Sequence, residues 1–142
     1  VGASYTYDQN GTSQDYYVDF VGTVDISGVI YHEADWSQLG GGITGTKEYR
    51  VDTNGDVLVR SLGVDYIEIP ANPTLGQTWT GVNSVTWEVT DLDASVTTPG
   101  CSYSGCVEIT DSGGPFTIKR YYKAGIGLVQ STDFALRTLV FN

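Results

Sequence analysis

Few side chains in this sequence could carry chemistry, and the single histidine is the first to weigh. His32 has no histidine partner, so a multi-histidine metal site is excluded. A Ser-His-Asp triad would rest on this one residue, inside a predicted strand, and no G-x-S-x-G turn is present to support it. We therefore interpret His32 as a strand residue without a catalytic role.

The carboxylates form close pairs, and a glycosidase needs two such acids with one of them in an apolar pocket. Acidic side chains along strand edges also block unwanted pairing between sheets, and this explanation needs no pocket. We therefore predict that the protein is not an enzyme and has no cofactor. The pairs are Glu33 with Asp35, Asp65 with Glu68, and Asp91 with Asp93.

A short acidic segment carries oxygen ligands at alternate positions, as calcium-binding loops do. The residues are Asp52, Asn54 and Asp56, with Gly55 between the last two. The later glutamate and the loop length of an EF-hand are missing. An Asn-Gly hairpin turn accounts for the same residues, so calcium is kept only as a weak candidate and no other metal site is predicted.

The two cysteines, Cys101 and Cys106, are separated by Ser-Tyr-Ser-Gly, which fits neither a zinc site nor a redox C-x-x-C motif. A disulfide closing a small hairpin-like loop is the first interpretation, and it implies an oxidising compartment. The alternative is a pair of reduced thiols that are chemically idle, because no histidine lies near them in the sequence.

Most of the basic residues lie in two blocks of similar sequence. If the two halves of the chain are related by a twofold axis, these residues would converge into a positive patch for an anionic ligand or for the acidic face of a neighbour. Cross-strand pairing with the excess of Asp and Glu is the favoured alternative. The residues are Lys47, Arg50, Lys119, Arg120 and Lys123.

Aromatic residues make up 12% of the chain and offer a further functional signal. Trp36, Trp79 and Trp87 could form a platform on which a sugar stacks, with several tyrosines around them. Aromatic residues that alternate with polar ones in strands usually pack in the core. Polysaccharide binding is therefore the alternative function, and it requires tryptophans exposed on one face.

Charge and composition exclude several classes of partner. The formal net charge of −10 would repel nucleic acid and anionic membrane surfaces, and no apolar run approaches the about 18 residues that a membrane helix needs. The chain begins at Val1 and contains no methionine, which predicts that a translated start has been removed. With 142 residues we expect one domain, spanning 1–142.

The elements that must position these residues are strands, because apolar and polar residues alternate along most of the chain. Turn residues such as Asn10-Gly11, Asn54-Gly55 and Ser112-Gly113 separate the strands, Gly40–Gly42 predicts a loop, and Pro70–Pro73 predicts a seam. Short connections predict an antiparallel meander. The predicted strands are 3–8, 15–26, 29–36, 46–52, 56–61, 64–69, 77–80, 84–91, 105–111, 115–123, 126–132 and 134–141.

The sequence also resembles itself at an offset of about half its length. Residues 2–6 return as 76–80, residues 47–50 return as 119–122, and residues 54–59 return as 124–129. Such a repeat predicts two related β-units, about 1–70 and 74–142, that bury their faces against each other. The fold class predicted is all-β, an antiparallel sandwich or partly open barrel built from these units.

The second half resembles a group of bacterial secreted and lipoprotein β-domains that have no established activity. The run from Tyr121 to Val129 is similar to their C-terminal YYAxGVGLVK signature. Leu75–Trp79 resembles their lxvGdtW strand, and residues 96–109 resemble their V.vPaGtf.nCv.v segment, although Cys101 is extra and Lys123-Ala124 stands where proline is common. The resemblance implies a β fold and a cell-envelope location, and it carries over no catalytic residue.

Taken together, the sequence predicts a non-enzymatic β-domain that is periplasmic, on the cell surface or extracellular. Its expected role is structural or adhesive, as a subunit of an extracellular assembly. The apolar terminal segment Ala135–Phe141 could pair within its own sheet or complete that of a neighbour, so self-association through a sheet edge is the expected partner interaction.

Overall fold

The computed structural model describes residues 2–9, 15–38, 43–132 and 134–141. About 70% of the residues lie in twelve strands, with one 3₁₀ turn at Val82–Ser84, and no helix among the described residues is long and apolar enough to cross a membrane. The strands are β1 (Ala3–Gln9), β2 (Asp15–Ile26), β3 (Val29–Gln38), β4 (Ile43–Val51), β5 (Val57–Ser61), β6 (Val64–Ile69), β7 (Thr78–Thr80), β8 (Thr86–Thr97), β9 (Ser102–Asp111), β10 (Ile118–Lys123), β11 (Gly127–Ser131) and β12 (Phe134–Phe141).

The strands pair in an antiparallel order that departs from a simple meander at one point. The order is β6-β5-β4-β3-β2-β1-β12-β11-β10-β9-β8-β7, so the first and last strands of the chain lie side by side. Their pairing runs from Ala3↔Phe141 to Gln9↔Phe134. The end strands β6 and β7 do not close the sheet into a barrel. The predicted all-β antiparallel fold is confirmed, and so is pairing of the terminal strand within the chain.

Most strand positions follow from the alternation and turn signals in the sequence. The bounds of β2, β6 and β12 coincide with the predicted ranges. The turn between β4 and β5 depends on Gly55, which has a φ of +88° that a side chain would strain. The turn predicted at Asn10-Gly11 and the loop predicted at Gly40–Gly42 lie outside the described residues.

The predicted disulfide between Cys101 and Cys106 is wrong, and both thiols are free. Strands β8 and β9 are longer than predicted, so Cys106 lies within β9, while Cys101 precedes it in the connecting turn. A strand rises about 3.3 Å per residue, which puts residues five apart about 16 Å from each other, whereas a disulfide needs Cα atoms within about 7 Å. The disulfide therefore no longer supports an oxidising compartment.

The buried side chains form two clusters. In the first cluster Tyr7, Val18 and Ala34 of the N-terminal half join residues of β8, β9 and β11. In the second, Trp87, Val89, Ile109 and Tyr122 pack with Ile69 and Leu128 at their edge. Both clusters therefore draw on residues of the two halves, so each half depends on the other to bury its apolar face.

The strand lengths of the two halves correspond for three of the six strand pairs. β2 and β8 each have 12 residues, β3 and β9 each have 10, and β5 and β11 each have 5, whereas β1 and β7, β4 and β10, and β6 and β12 differ by two to four residues. The pairs matched in sequence, Tyr5 with Trp79, Tyr49 with Tyr121 and Val57 with Leu128, are all half-buried. The strand lengths therefore do not decide whether the two halves are duplicates, and the duplication stays a prediction.

The two thiols should differ sharply in reactivity. Cys101 is exposed, whereas Cys106 is fully buried and burial raises the pKa of its thiol. We expect a thiol reagent to label one equivalent at once in the native protein and the second only on unfolding. Mass mapping should place the fast label on Cys101. A protein that contains no reactive thiol before reduction would contradict the free-thiol assignment.

Removal of residues 134–142 should unfold the chain, because β12 supplies the hydrogen-bonding partner of β1 along its whole length. We expect loss of near-ultraviolet circular dichroism and of the cooperative denaturant transition. A truncated protein that keeps its cooperative transition and only changes its oligomeric state would show instead that β12 is donated to a neighbour.

Candidate functional site

A cavity of about 410 Å³ opens between the N-terminal and C-terminal halves. Residues of β1 to β6 line one part of the cavity, and residues of β10 and β11 line the other. Aromatic and aliphatic side chains form most of its wall, and a few charged groups interrupt them. It is lined by Tyr5, Tyr7, Val18, Phe20, His32, Trp36, Lys47, Tyr49, Arg50, Val51, Val57, Glu68, Ile69, Arg120, Tyr122, Gly127 and Leu128.

The aromatic wall follows from the alternation of the strands, which turns every second residue to the same face. The rings of Tyr5 and Tyr7 are near-parallel with centroids 6.1 Å apart, and Tyr7 is parallel to Trp36 at 6.3 Å. Phe20 lies between Tyr5 and Tyr49, about 6 Å from each ring centroid and tilted to both. Adjacent strands thus present a continuous aromatic surface to the cavity.

The tyrosines of β1 also fix the position of β11. The hydroxyl of Tyr5 donates to the carbonyl of Ile126 and that of Tyr7 to the carbonyl of Leu128, each at 3.0 Å. Burial raises the pKa of Tyr7, so its hydroxyl remains a neutral donor. Burial likewise raises the pKa of Tyr49. These phenols act as structural hydrogen-bond donors and apolar surface, not as acids.

A charged cluster joins β6 to β10 across the cavity. Glu68 Oε1 accepts hydrogen bonds from the Tyr122 hydroxyl at 2.7 Å and from Arg120 Nη1 at 3.1 Å. The Arg120 guanidinium lies 4.7 Å from the ring centroid of Trp87. Burial, and then the Glu68 charge, raise the pKa of Tyr122, which keeps its hydroxyl protonated. The Glu68 carboxylate therefore lies between two hydrogen-bond donors.

Lys47 contributes a second cation, on the opposite wall. Its Nζ lies 4.5 Å from the ring centroid of Trp36. Although the residue as a whole is exposed, loss of water around the ammonium lowers the pKa of Lys47. The charge of Glu68 opposes this lowering of the Lys47 pKa, and the charge of Arg120 adds to it.

The five predicted basic residues do not form one patch. Lys47 and Arg120 both line the cavity. Arg50 reaches its rim but binds Asp65, with Nε 2.8 Å from Oδ2. Lys119 pairs with Glu108 at 3.0 Å outside the cavity, and Lys123 donates to the carbonyl of Ser104 at 2.7 Å. The structure thus brings three of the five to the cavity, although Arg50 is paired there with Asp65, and it uses Lys119 and Lys123 in contacts outside the cavity.

The three tryptophans do not form an exposed platform. Trp36 is half-buried in the cavity wall. Trp87 is buried beneath Arg120 and is the cross-strand partner of Trp79. The indole Nε1 of Trp79 donates to the carbonyl of Ile67 at 2.9 Å, which links β7 to β6. Only Trp36 is therefore placed to touch a molecule in the cavity.

The calcium candidate is a hairpin turn. Asp52 Oδ1 accepts hydrogen bonds from the main-chain N–H groups of Asn54 and Asp56, at 2.8 and 2.9 Å. Asp56 Oδ1 accepts from the N–H of Ala71 at 2.8 Å. Across the described part of the chain, no three His, Cys, Asp or Glu side chains are grouped so that they could hold a metal.

The sequence did not predict that Tyr7, Tyr49 and Glu68 meet in one cavity. Tyr7 was considered only among the tyrosines around the predicted sugar platform and Tyr49 only within the repeat, because both follow the same alternation as many core aromatics. Glu68 was considered only with Asp65, but the two carboxylates have different partners: Asp65 binds Tyr31, Arg50 and Arg60, whereas Glu68 binds β10. His32 lines the cavity and is exposed.

Comparison of the chain with protein-family models, with curated proteins and with solved structures finds no match. The resemblance to secreted and lipoprotein β-domains therefore stays a prediction. Function has to be argued from the cavity itself.

Acid should weaken the network around Asp65. Desolvation alone would raise the pKa of Asp65, but hydrogen bonds from Arg50 and Tyr31 outweigh it and lower the pKa. A lowered folded-state pKa stabilises the protein above the unfolded value of about 3.9, and this contribution is lost as the pH falls below it. Urea unfolding from about pH 7 to about pH 3 should show this slope, and Asp65→Asn should reduce both the slope and the stability at neutral pH.

The control for this measurement is Asp19→Asn, because Asp19 is exposed and belongs to none of the ion pairs among the described residues. It should leave the pH dependence of the unfolding free energy unchanged. Equal effects of the two substitutions would mean that the Asp65 network contributes nothing specific.

Proposed function

We propose that the protein is a non-enzymatic binding domain that holds a small, largely apolar molecule in its aromatic cavity. The observation that carries this proposal is a preformed cavity of about 410 Å³ lined by parallel rings. Pockets for small ligands range from about 300 to 1,000 Å³ and combine apolar walls with a few placed polar groups. This cavity has that composition, with Glu68, Arg120 and Lys47 as the charged groups.

The rigidity of the wall supports binding. Tyr5 and Tyr7 are held at both ends, by their strand and by the hydroxyl bonds to β11. Side chains already fixed in place lose little entropy when a ligand arrives, so more of the contact energy contributes to affinity. The same constraint makes proton transfer a poor use of the site, since Glu68 is occupied by two donors.

A sugar ligand, the alternative from the sequence, is less well suited to this cavity. Sugars need many hydrogen-bond partners as well as a ring to stack on. The hydroxyls of Tyr5, Tyr7 and Tyr122 already donate to protein acceptors. The remaining wall is mostly aliphatic or aromatic, which favours an apolar ligand.

A structural role through sheet edges is the second proposal. β6 and β7 end the strand order, and Leu62 and Val64 are exposed at the start of β6. An edge strand with exposed apolar residues is suited to pairing with another chain. The envelope or extracellular location is part of this proposal, supported by the composition and by the family resemblance of the second half.

Binding can be tested with N-phenylnaphthylamine, a neutral dye whose fluorescence increases when it leaves water. We expect saturable binding at one site. Val51 lines the cavity and is 63% exposed, so Val51→Trp should narrow the opening without disturbing the core, and it should weaken binding by about tenfold or more.

Val64→Trp is the matched control, because Val64 is 52% exposed and does not line the cavity. Its affinity for the dye should equal that of the unmodified protein. Dye binding that does not saturate, or that both substitutions weaken equally, would show that the dye binds the surface and not the cavity.

A further inference from the structure

The cavity carries an excess of positive charge in a strongly acidic protein. Two of its charged groups are the cations Lys47 and Arg120, and Glu68 is the carboxylate that faces them. Arg50 also reaches the lining, but its charge is matched by Asp65. The full chain has a formal net charge of −10, so this local positive charge is opposite in sign to the protein around it.

The two cations Lys47 and Arg120 differ in the groups that they contact. Arg120 forms an ion pair with Glu68 at 3.1 Å. Lys47 takes part in none of the four ion pairs among the described residues, and its close contact is the face of the Trp36 ring. A cation beside a ring in a partly dehydrated site is stabilised less than one beside a carboxylate. Lys47 is therefore the charge that an anion entering the cavity would meet.

We propose that the cavity binds a small amphipathic monoanion, whose carboxylate or sulfonate group pairs with Lys47 and whose apolar body lies on the aromatic wall. This inference rests on the proposed binding function and names the ligand class. The body would contact Phe20, Tyr49 and Leu128, which line the cavity with Lys47.

The charge of the ligand follows from the pairing inside the cavity. Glu68 already neutralises Arg120, so a single negative charge on the ligand balances Lys47 and leaves the cavity neutral. A second negative charge would lie near Glu68 with no cation to match it, which is costly where water is largely displaced. Desolvation lowers the pKa of Lys47, and an anion bound beside its ammonium would oppose that shift.

Two dyes with the same aromatic body separate charge from apolar contact. Anilinonaphthalene sulfonate carries one negative charge, and N-phenylnaphthylamine carries none. The unmodified protein should bind the sulfonate about tenfold more tightly than the neutral dye. Lys47→Met should remove this preference, weakening the sulfonate by about tenfold while changing the neutral dye by less than about twofold. Lys47→Arg should preserve the preference.

Lys119→Met is the matched control, since it removes the same charge from a lysine that pairs with Glu108 outside the cavity. It should leave both affinities unchanged, and continued binding of the neutral dye shows that each variant keeps its cavity. Equal affinity for the two dyes, or an equal loss of sulfonate binding in Lys47→Met and Lys119→Met, overturns the inference while leaving the binding function intact. Failure of both dyes to bind at the cavity overturns the proposed function and this inference with it.

Discussion

The pairing of the first strand with the last is the interaction on which the rest of the structure depends. Among the described residues, β12 pairs with β1 at seven positions and with β11 at Gln130↔Ala135. The carbonyls of Ile126 and Leu128, which precede that pair along the chain, accept hydrogen bonds from the hydroxyls of Tyr5 and Tyr7 of β1. Tyrosine side chains thus add a direct link between β1 and the segment that contains Ile126 and Leu128. Because the same two rings form the wall of the cavity, the contact that joins the halves also shapes the site.

The far side of the cavity is held by side chains instead of a strand ladder. β6 and β7 end the strand order, yet the indole of Trp79 bonds the carbonyl of Ile67, and Glu68 binds Arg120 and Tyr122. A hydrogen bond to a charged group contributes about 1.5–3 kcal/mol, whereas an exposed ion pair contributes about 0–1 kcal/mol. The Glu68 cluster, with side chains only 20% to 29% exposed, therefore matters more to the architecture than the exposed pair of Lys119. The cluster links β6 to β10 across the cavity by side-chain hydrogen bonds, without a strand ladder between the two ends of the sheet.

Alternation in the sequence was enough to locate the strands, but it failed where the strands are irregular. β8 runs on to Thr97, although the pattern predicted its end at Asp91. Its register with β9 shifts between Val89 and Asp91 and twice more before Val96, so apolar residues no longer fall at every second position. That error led directly to the wrong disulfide. The charged cluster of the cavity could not be predicted for a different reason: Glu68 and Arg120 are 52 residues apart, and only the strand order brings them together.

The cavity lining pairs β4 with β10 in a different register from the one that the sequence repeat suggests. Matched by letters, Lys47 aligns with Lys119 and Tyr49 with Tyr121, but Lys119 faces Glu108 outside the cavity. Matched by the face they present, the equivalent pairs are Lys47-x-Tyr49 on β4 and Arg120-x-Tyr122 on β10, since all four residues line the cavity. A register shift of one residue moves every side chain of a strand to the opposite face of the sheet. The face on which a residue lies is therefore a stricter criterion of equivalence than sequence identity. In this register β4 and β10 each place one cation and one tyrosine, two residues apart, in the cavity lining. Glu68 makes the two strands differ: it forms an ion pair with Arg120, whereas Lys47 belongs to none of the ion pairs among the residues that the structure describes. The single negative charge of the ligand that we propose follows from this difference.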